Sequence, residues 1–106
     1  MIRSALDATR STSVRQSWQI LEAELEFSLK KYAKAGLIVM RIVVLTPESE
    51  QIGPALFRAG RVYEKLDRPE KAIELYRECA AHKKVSESLK KKAERRIAAL
   101  EPAEKS

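Results

Sequence analysis

The second half of this chain repeats the first at an offset of 37 residues. With residues 32–47 laid on residues 69–84, Ala35 falls on Ala72, Val39 on Tyr76, Ile42 on Cys79 and Val43 on Ala80. A helix with its own apolar stripe is expected before each segment. Trp18, Leu21 and Leu25 form the first stripe; Leu56, Ala59, Gly60 and Tyr63 form the second. Ala93, Ile97 and Leu100 repeat the Leu56, Gly60 and Tyr63 positions another 37 residues on. A period of this length belongs to repeat architectures. One supersecondary unit there cannot bury its apolar face alone, so it stacks on a copy of itself.

Apolar residues spaced by three and four predict five helices. The first covers about residues 14–30, with Trp18, Leu21, Leu25 and Leu29 as its stripe and Trp18 in the core. Ser13 is its candidate N-cap, with Gln16 three residues on. The second covers residues 32–45 and stops at Thr46-Pro47, because proline disfavours helix in the residue before it. The third covers residues 52–66, with Pro54 in its first turn. The fourth follows Asp67, with Pro69 near its start and Ala72, Leu75, Tyr76, Cys79 and Ala80 buried. The fifth opens at Ser86 or Ser88 and ends at Pro102. Ile38, Val39, Ile42, Val43 and Val44 are β-branched and favour strand intrinsically. They lack strict alternation and have no partner strand, so helix is expected there too. The expected organisation is an arm over residues 1–13, a helical domain over 14–100 and a tail over 101–106.

The rest of the composition mainly excludes. Cys79 is the one cysteine, so neither an intrachain disulfide nor a cysteine-rich zinc site can form. It fills a small-residue packing position rather than acting as a nucleophile. Residues 37–45 are apolar but broken by Arg41, and are too short to span a bilayer. The first fifteen residues hold no apolar stretch of the secretory kind; their Ser, Thr and Arg bias is shared by transit peptides but is more simply that of a frayed arm. A cytoplasmic location is the default expectation. His82 has no second histidine to form a metal site with, and Glu22, Glu24 and Glu26 do not all share one helix face. No catalytic residues, metal or cofactor are expected, and the chain is read as a non-enzyme.

At this point the chain resembles a tetratricopeptide repeat. Leu56, Ala59, Gly60, Tyr63, Ala72, Tyr76 and Cys79 match that pattern in order and spacing. Trp18, Leu21, Tyr32, Ala35, Val39, Ile42 and Pro47 match it in the first unit, with one extra residue between the helices. Asp67 stands where the family has a turn glycine, Lys84 replaces a closing proline, and the unit is longer than usual. That longer unit is similar to bacterial cell-envelope repeats of the TolA-binding and outer-membrane-assembly type, which would allow an envelope location. The resemblance covers about residues 17–100 and implies an all-α solenoid of two antiparallel helix hairpins and a C-terminal capping helix.

It also implies a scaffold that binds a peptide or protein along a concave groove. Carried across, the family's groove positions fall on Gln19, Glu26, Phe57, Arg61, Glu64 and Glu94, with Phe57 and Arg61 as expected anchors. The alternative is nucleic-acid or acidic-surface binding. The net charge is +6, and residues 83–106 hold eight bases against four acids, so the excess sits largely at the C-terminal end. The cluster Lys90, Lys91, Lys92, Arg95 and Arg96 would carry such binding. No aromatic residue is interleaved with it to stack on bases. Finally, Leu37, Ile38, Met40 and Val44 make the second helix apolar on its outer face as well as its inner one. Such a helix wants burial all round. A second copy, the arm over residues 1–13, or a preceding repeat of a longer chain would supply the cover. The homodimer is the favoured expectation.

Overall fold

The computed structural model describes residues 5–101, with side chains from Thr12 onward. Five helices follow one another: α1 (Ala5–Ser28), α2 (Tyr32–Leu45), α3 (Ile52–Lys65), α4 (Pro69–Ala81) and α5 (Glu87–Leu100). Each packs antiparallel on the next, and α3 also touches α1 and α5. No strand forms among the described residues. The β-branched run of α2 is therefore helical, with Ala35, Val39 and Ile42 buried. Tertiary burial outweighs its intrinsic preference for strand.

The two hairpin turns are built alike. The Lys30 and Lys31 amides donate to the Phe27 and Glu26 carbonyls; the Asp67 and Arg68 amides donate to the Glu64 and Tyr63 carbonyls. Lys30 (φ 65°) and Asp67 (φ 60°) both take the left-handed conformation usually left to glycine. Aspartate tolerates it better than lysine does, because its short side chain can bond locally. Pro69 then opens α4 where its missing N–H does no harm. Ser86 caps α5 by accepting the Leu89 amide at 3.2 Å. The helix that starts earliest relative to expectation is α1, which runs unbroken through Ser13 from Ala5. The remaining residues of the predicted arm and tail, 1–4 and 102–106, lie outside the described residues.

The core is densest between α3 and α4. Tyr76 is fully buried, and its ring fills the hollow left by Gly60. A Cβ on Gly60 would sit 2.5–2.8 Å from three carbons of that ring, closer than any packed contact allows. The Tyr76 hydroxyl then donates to Glu64 Oε2 at 2.5 Å. Gly60 thus makes room for a side chain of α4, the Tyr76 ring, and Ala72 of α4 is fully buried. At the other end of α3, the Cys79 thiol points at the Gly53 carbonyl, 3.8 Å away. Cys79 is fully buried, at the packing position expected for it, and burial pushes its thiol up to about 11.

The packing of α1 overturns one expectation. Its buried residues are Gln16, Ile20, Ala23 and Glu26, with Phe27 packed against the core. Trp18, Leu21, Leu25 and Leu29, expected inside, are all more than half exposed, Trp18 at 68%. Ile20 and Ala23, rather than Trp18 and Leu21, match Leu56 and Ala59 of α3. A slip of two residues turns a helix by about 200°, which is nearly the opposite face. Two polar contacts help hold this orientation. Gln16 Nε2 donates to Thr46 Oγ1 at 2.8 Å, and the Ser49 hydroxyl donates to Gln16 Oε1. Glu26 pairs with Lys34 of α2 at 3.3 Å.

Candidate functional site

Two hollows flank α3, one toward α1 and α2 and the other toward α5. A hollow of about 590 Å³ opens between the end of α1, the start of α2 and α3. Its walls include Phe27, Tyr32 and Ala35 on the apolar side and Glu24, Lys30, Arg58, Arg61 and Lys65 on the polar side. A second hollow of about 420 Å³ lies between α3 and α5, lined by Phe57, Arg61, Glu64, Lys65 and Arg96. Arg61 and Lys65 belong to both, so the two hollows meet across α3.

Local sequence explains each side chain's place. On α3, Phe57, Arg61, Glu64 and Lys65 follow one another by four, three and one, so they occupy one side of the helix. The opposite side is taken by Ala55, Ala59 and Val62, which are buried. Phe57 leans on Tyr76, with ring centres 5.4 Å apart and planes tilted by 53°. Phe27 meets Tyr32 edge-on across the first hairpin turn at 5.0 Å. The Arg61 guanidinium lies 4.8 Å above the Phe27 ring and is thereby held without a carboxylate.

The acids of the groove are already engaged. Arg58 grips Glu24 through Nε, at 2.9 Å, and through Nη2. Glu64 accepts from Arg96 Nε at 3.0 Å, from Arg96 Nη2 and from Tyr76. Burial pushes the Glu64 carboxyl up. The hydrogen bonds from Arg96 and Tyr76, with the charges of Arg96 and Arg61, outweigh that and hold it below the usual carboxylate value. Burial and the bond to Glu64 together raise the Tyr76 phenol well above its ordinary value. Among the described residues, Arg61, Lys65 and Lys30 form no ion pair, so the groove's uncommitted charge is positive.

Of the six residues expected to line the groove, the structure brings Phe57, Arg61 and Glu64 together. Gln19 instead lines a small hollow with Arg41, Ile42 and Leu45 of α2, and Glu26 is mostly buried against Lys34. Glu94 is exposed on α5 and lines neither groove hollow. Phe27 was missed because the first helix was placed in the wrong rotation; Arg58 and Lys65, on the correctly placed α3, were not among the groove positions carried across from the resemblance. The basic cluster of α5 does not form one face. Ala93 is the buried residue of α5; Lys91 and Arg95 stand opposite it, while Lys90 and Arg96 flank it on either side. Arg96 is committed to Glu64. In the candidate self-association set, Leu37 and Val44 are exposed, whereas Ile38 and Met40 are half-buried and pack against the core.

Among the described residues no helix is long and apolar enough to cross a membrane. No protein-family model, curated protein or solved structure matches the chain.

Proposed function

We propose that this chain is a non-catalytic interaction module that holds an acidic, extended peptide segment of a partner protein in the groove across α1, α3 and α5. The observation that carries this reading is Arg61. Its guanidinium is exposed and steered by the Phe27 ring, and it stands at the junction of two hollows whose carboxylates are taken by other partners. Arginine in such a setting offers a planar fork for a carboxylate, and its fixed position lowers the entropy lost on binding. Phe57 and Phe27 provide apolar floor for the peptide's side chains between the charges.

The repeat reading supports the same conclusion. The hairpin turns share their hydrogen bonds and left-handed residues, and the buried positions of α1 and α3 correspond. We take the two hairpins as copies of one tetratricopeptide-like unit and α5 as the capping helix of a short solenoid. First helices line the inner surface of such a stack.

Fluorescence anisotropy with short labelled peptides, rich in Asp and Glu with interspersed Leu, tests the proposal. Such peptides should bind, and their Lys-containing counterparts should not. Arg61→Ala should weaken binding about tenfold, and Arg61→Ala with Phe57→Ala further still. Binding unchanged by both substitutions, or no binding at low salt, would refute the groove. A duplex or single-stranded nucleic acid that binds with a steep salt dependence and is released by substituting Lys91 and Arg95 would favour the basic helix instead.

A further inference from the structure

Val14, Trp18, Leu21, Leu25 and Leu29 lie along one side of α1 at spacings of four, three, four and four. All five are more than half exposed. This is the alternation of a coiled-coil seam, carried for about four turns. The stripe faces nearly away from the side of α1 that meets α2 and α3, which carries Ile20, Ala23 and Phe27. Together the five side chains leave on the order of 600 Å² of apolar surface in water, which matches the roughly 600–1,000 Å² that each partner contributes to a stable dimer.

The charges beside the stripe identify its occupant. Arg15 and Glu22, seven residues apart, flank the seam on one side. Both are exposed, and neither forms an ion pair among the described residues. If two α1 helices lie antiparallel, Trp18 of each meets Leu21 of the other and Val14 meets Leu25. Arg15 of each then lies beside Glu22 of the other, twice by symmetry. A parallel arrangement sets Arg15 and Glu22 of one copy on the opposite side of the seam from those of the other, so neither of these ion pairs forms. The surface is thus complementary to itself in one orientation only, the requirement for a two-fold interface.

The geometry points to a two-fold homodimer formed by antiparallel packing of α1 on α1 of a second copy, with Trp18 as its anchor. This places the self-association surface on α1 rather than on α2. The groove residues of α1, Glu24 and Phe27, lie outside the seam, so dimerisation presents two grooves to a partner instead of closing them. The proposal stands apart from the peptide-binding reading: either can fail without the other.

The chain has one tryptophan, so its fluorescence reports on this seam. Sedimentation velocity across the micromolar range should show monomer passing to dimer, with Trp18 emission shifting to the blue in step. Trp18→Ser with Leu25→Ser should weaken association by about 30-fold or more while helicity by circular dichroism is retained. Arg15→Glu alone and Glu22→Arg alone should each weaken it, and the double reversal should restore it. Rescue by the double reversal cannot come from altered folding of the monomer. A wild type that stays monomeric, with Trp18 emitting as an exposed indole, overturns the proposal, whatever other protein then covers the stripe. A dimer insensitive to these changes but lost on Leu37→Glu with Val44→Glu overturns it as well.

Discussion

The two hairpins solve the same packing problem with different chemistry. In α3–α4 the space between helices is filled by Tyr76, admitted by Gly60 and tied to α5 through Glu64 and Arg96. In α1–α2 no aromatic ring is fully buried. A small Ala23 and Ala35 core is supplemented by the polar tie from Gln16 to Thr46 and Ser49. The second hairpin keeps its large apolar residues inside and shows few of them to water. The first has Val14, Trp18, Leu21, Leu25, Leu29, Leu37, Val44 and Leu45 on its surface. The lesson is that a helix hairpin can keep its bulky apolar residues inside or show them to water, depending on where those residues fall around the helix.

The contrast can be broken first at Tyr76. Tyr76→Ala should cost about 3–5 kcal/mol, because it leaves a cavity and removes a partner of Glu64. Chemical denaturation would measure it; a loss below about 1 kcal/mol would deny the second hairpin its central role. Gly60→Leu comes next, at about 1–3 kcal/mol, since its side chain collides with the buried ring. An unchanged melting temperature would show that the α3–α4 contact is looser than described.

The third expectation concerns acid. Glu64 is held below its ordinary value of 4.5, so its contribution to stability is fully present above that pH and is lost as pH falls through its folded value. Stability measured from pH 6 down to pH 3 should therefore fall less steeply in Glu64→Gln than in the native chain. Equal slopes would mean that Arg96 and Tyr76 do not hold the carboxylate in solution. The smallest effect is expected on the exposed face of the first hairpin. Trp18→Ser should change the stability of the dilute monomer by less than about 0.5 kcal/mol. Ile20→Ala, only two residues away, should cost about 2–4 kcal/mol. The reverse order would restore Trp18 to the core.

Much of the second hairpin was legible from the sequence. Leu56, Ala59, Gly60, Ala72, Tyr76 and Cys79 carry one consistent stripe, and each is buried. Phe57, Arg61 and Glu64, which the resemblance implied for the candidate groove, line one hollow. The first hairpin misled because α1 carries two stripes. The bulkier one, from Trp18 to Leu29, reads as core; the buried one, through Gln16, Ile20, Ala23 and Phe27, opens on a glutamine and includes only small or medium residues before its phenylalanine. Hydrophobicity alone prefers the first, and the hydrogen bonds that favour the second come from Thr46 and Ser49, some thirty residues on. The pairing of Arg96 with Glu64 was hidden for the same reason, since the two are 32 residues apart.

By itself, then, the amino-acid order determined that there are five helices and their succession, though not the start of α1, because propensity, proline placement and three-and-four spacing act within a few residues. It also determined the pattern of small and large residues that lets α4 lie close on α3. Tertiary structure alone decided how far α1 is rotated, and with it which apolar stripe is core and which faces outward. It decided too which cations are spent on Glu24 and Glu64 and which, Arg61 above all, remain free. The physical reason is common to both. A helix's rotation and a charge's partner depend on groups distant in sequence, and their energies exist only once those groups are side by side.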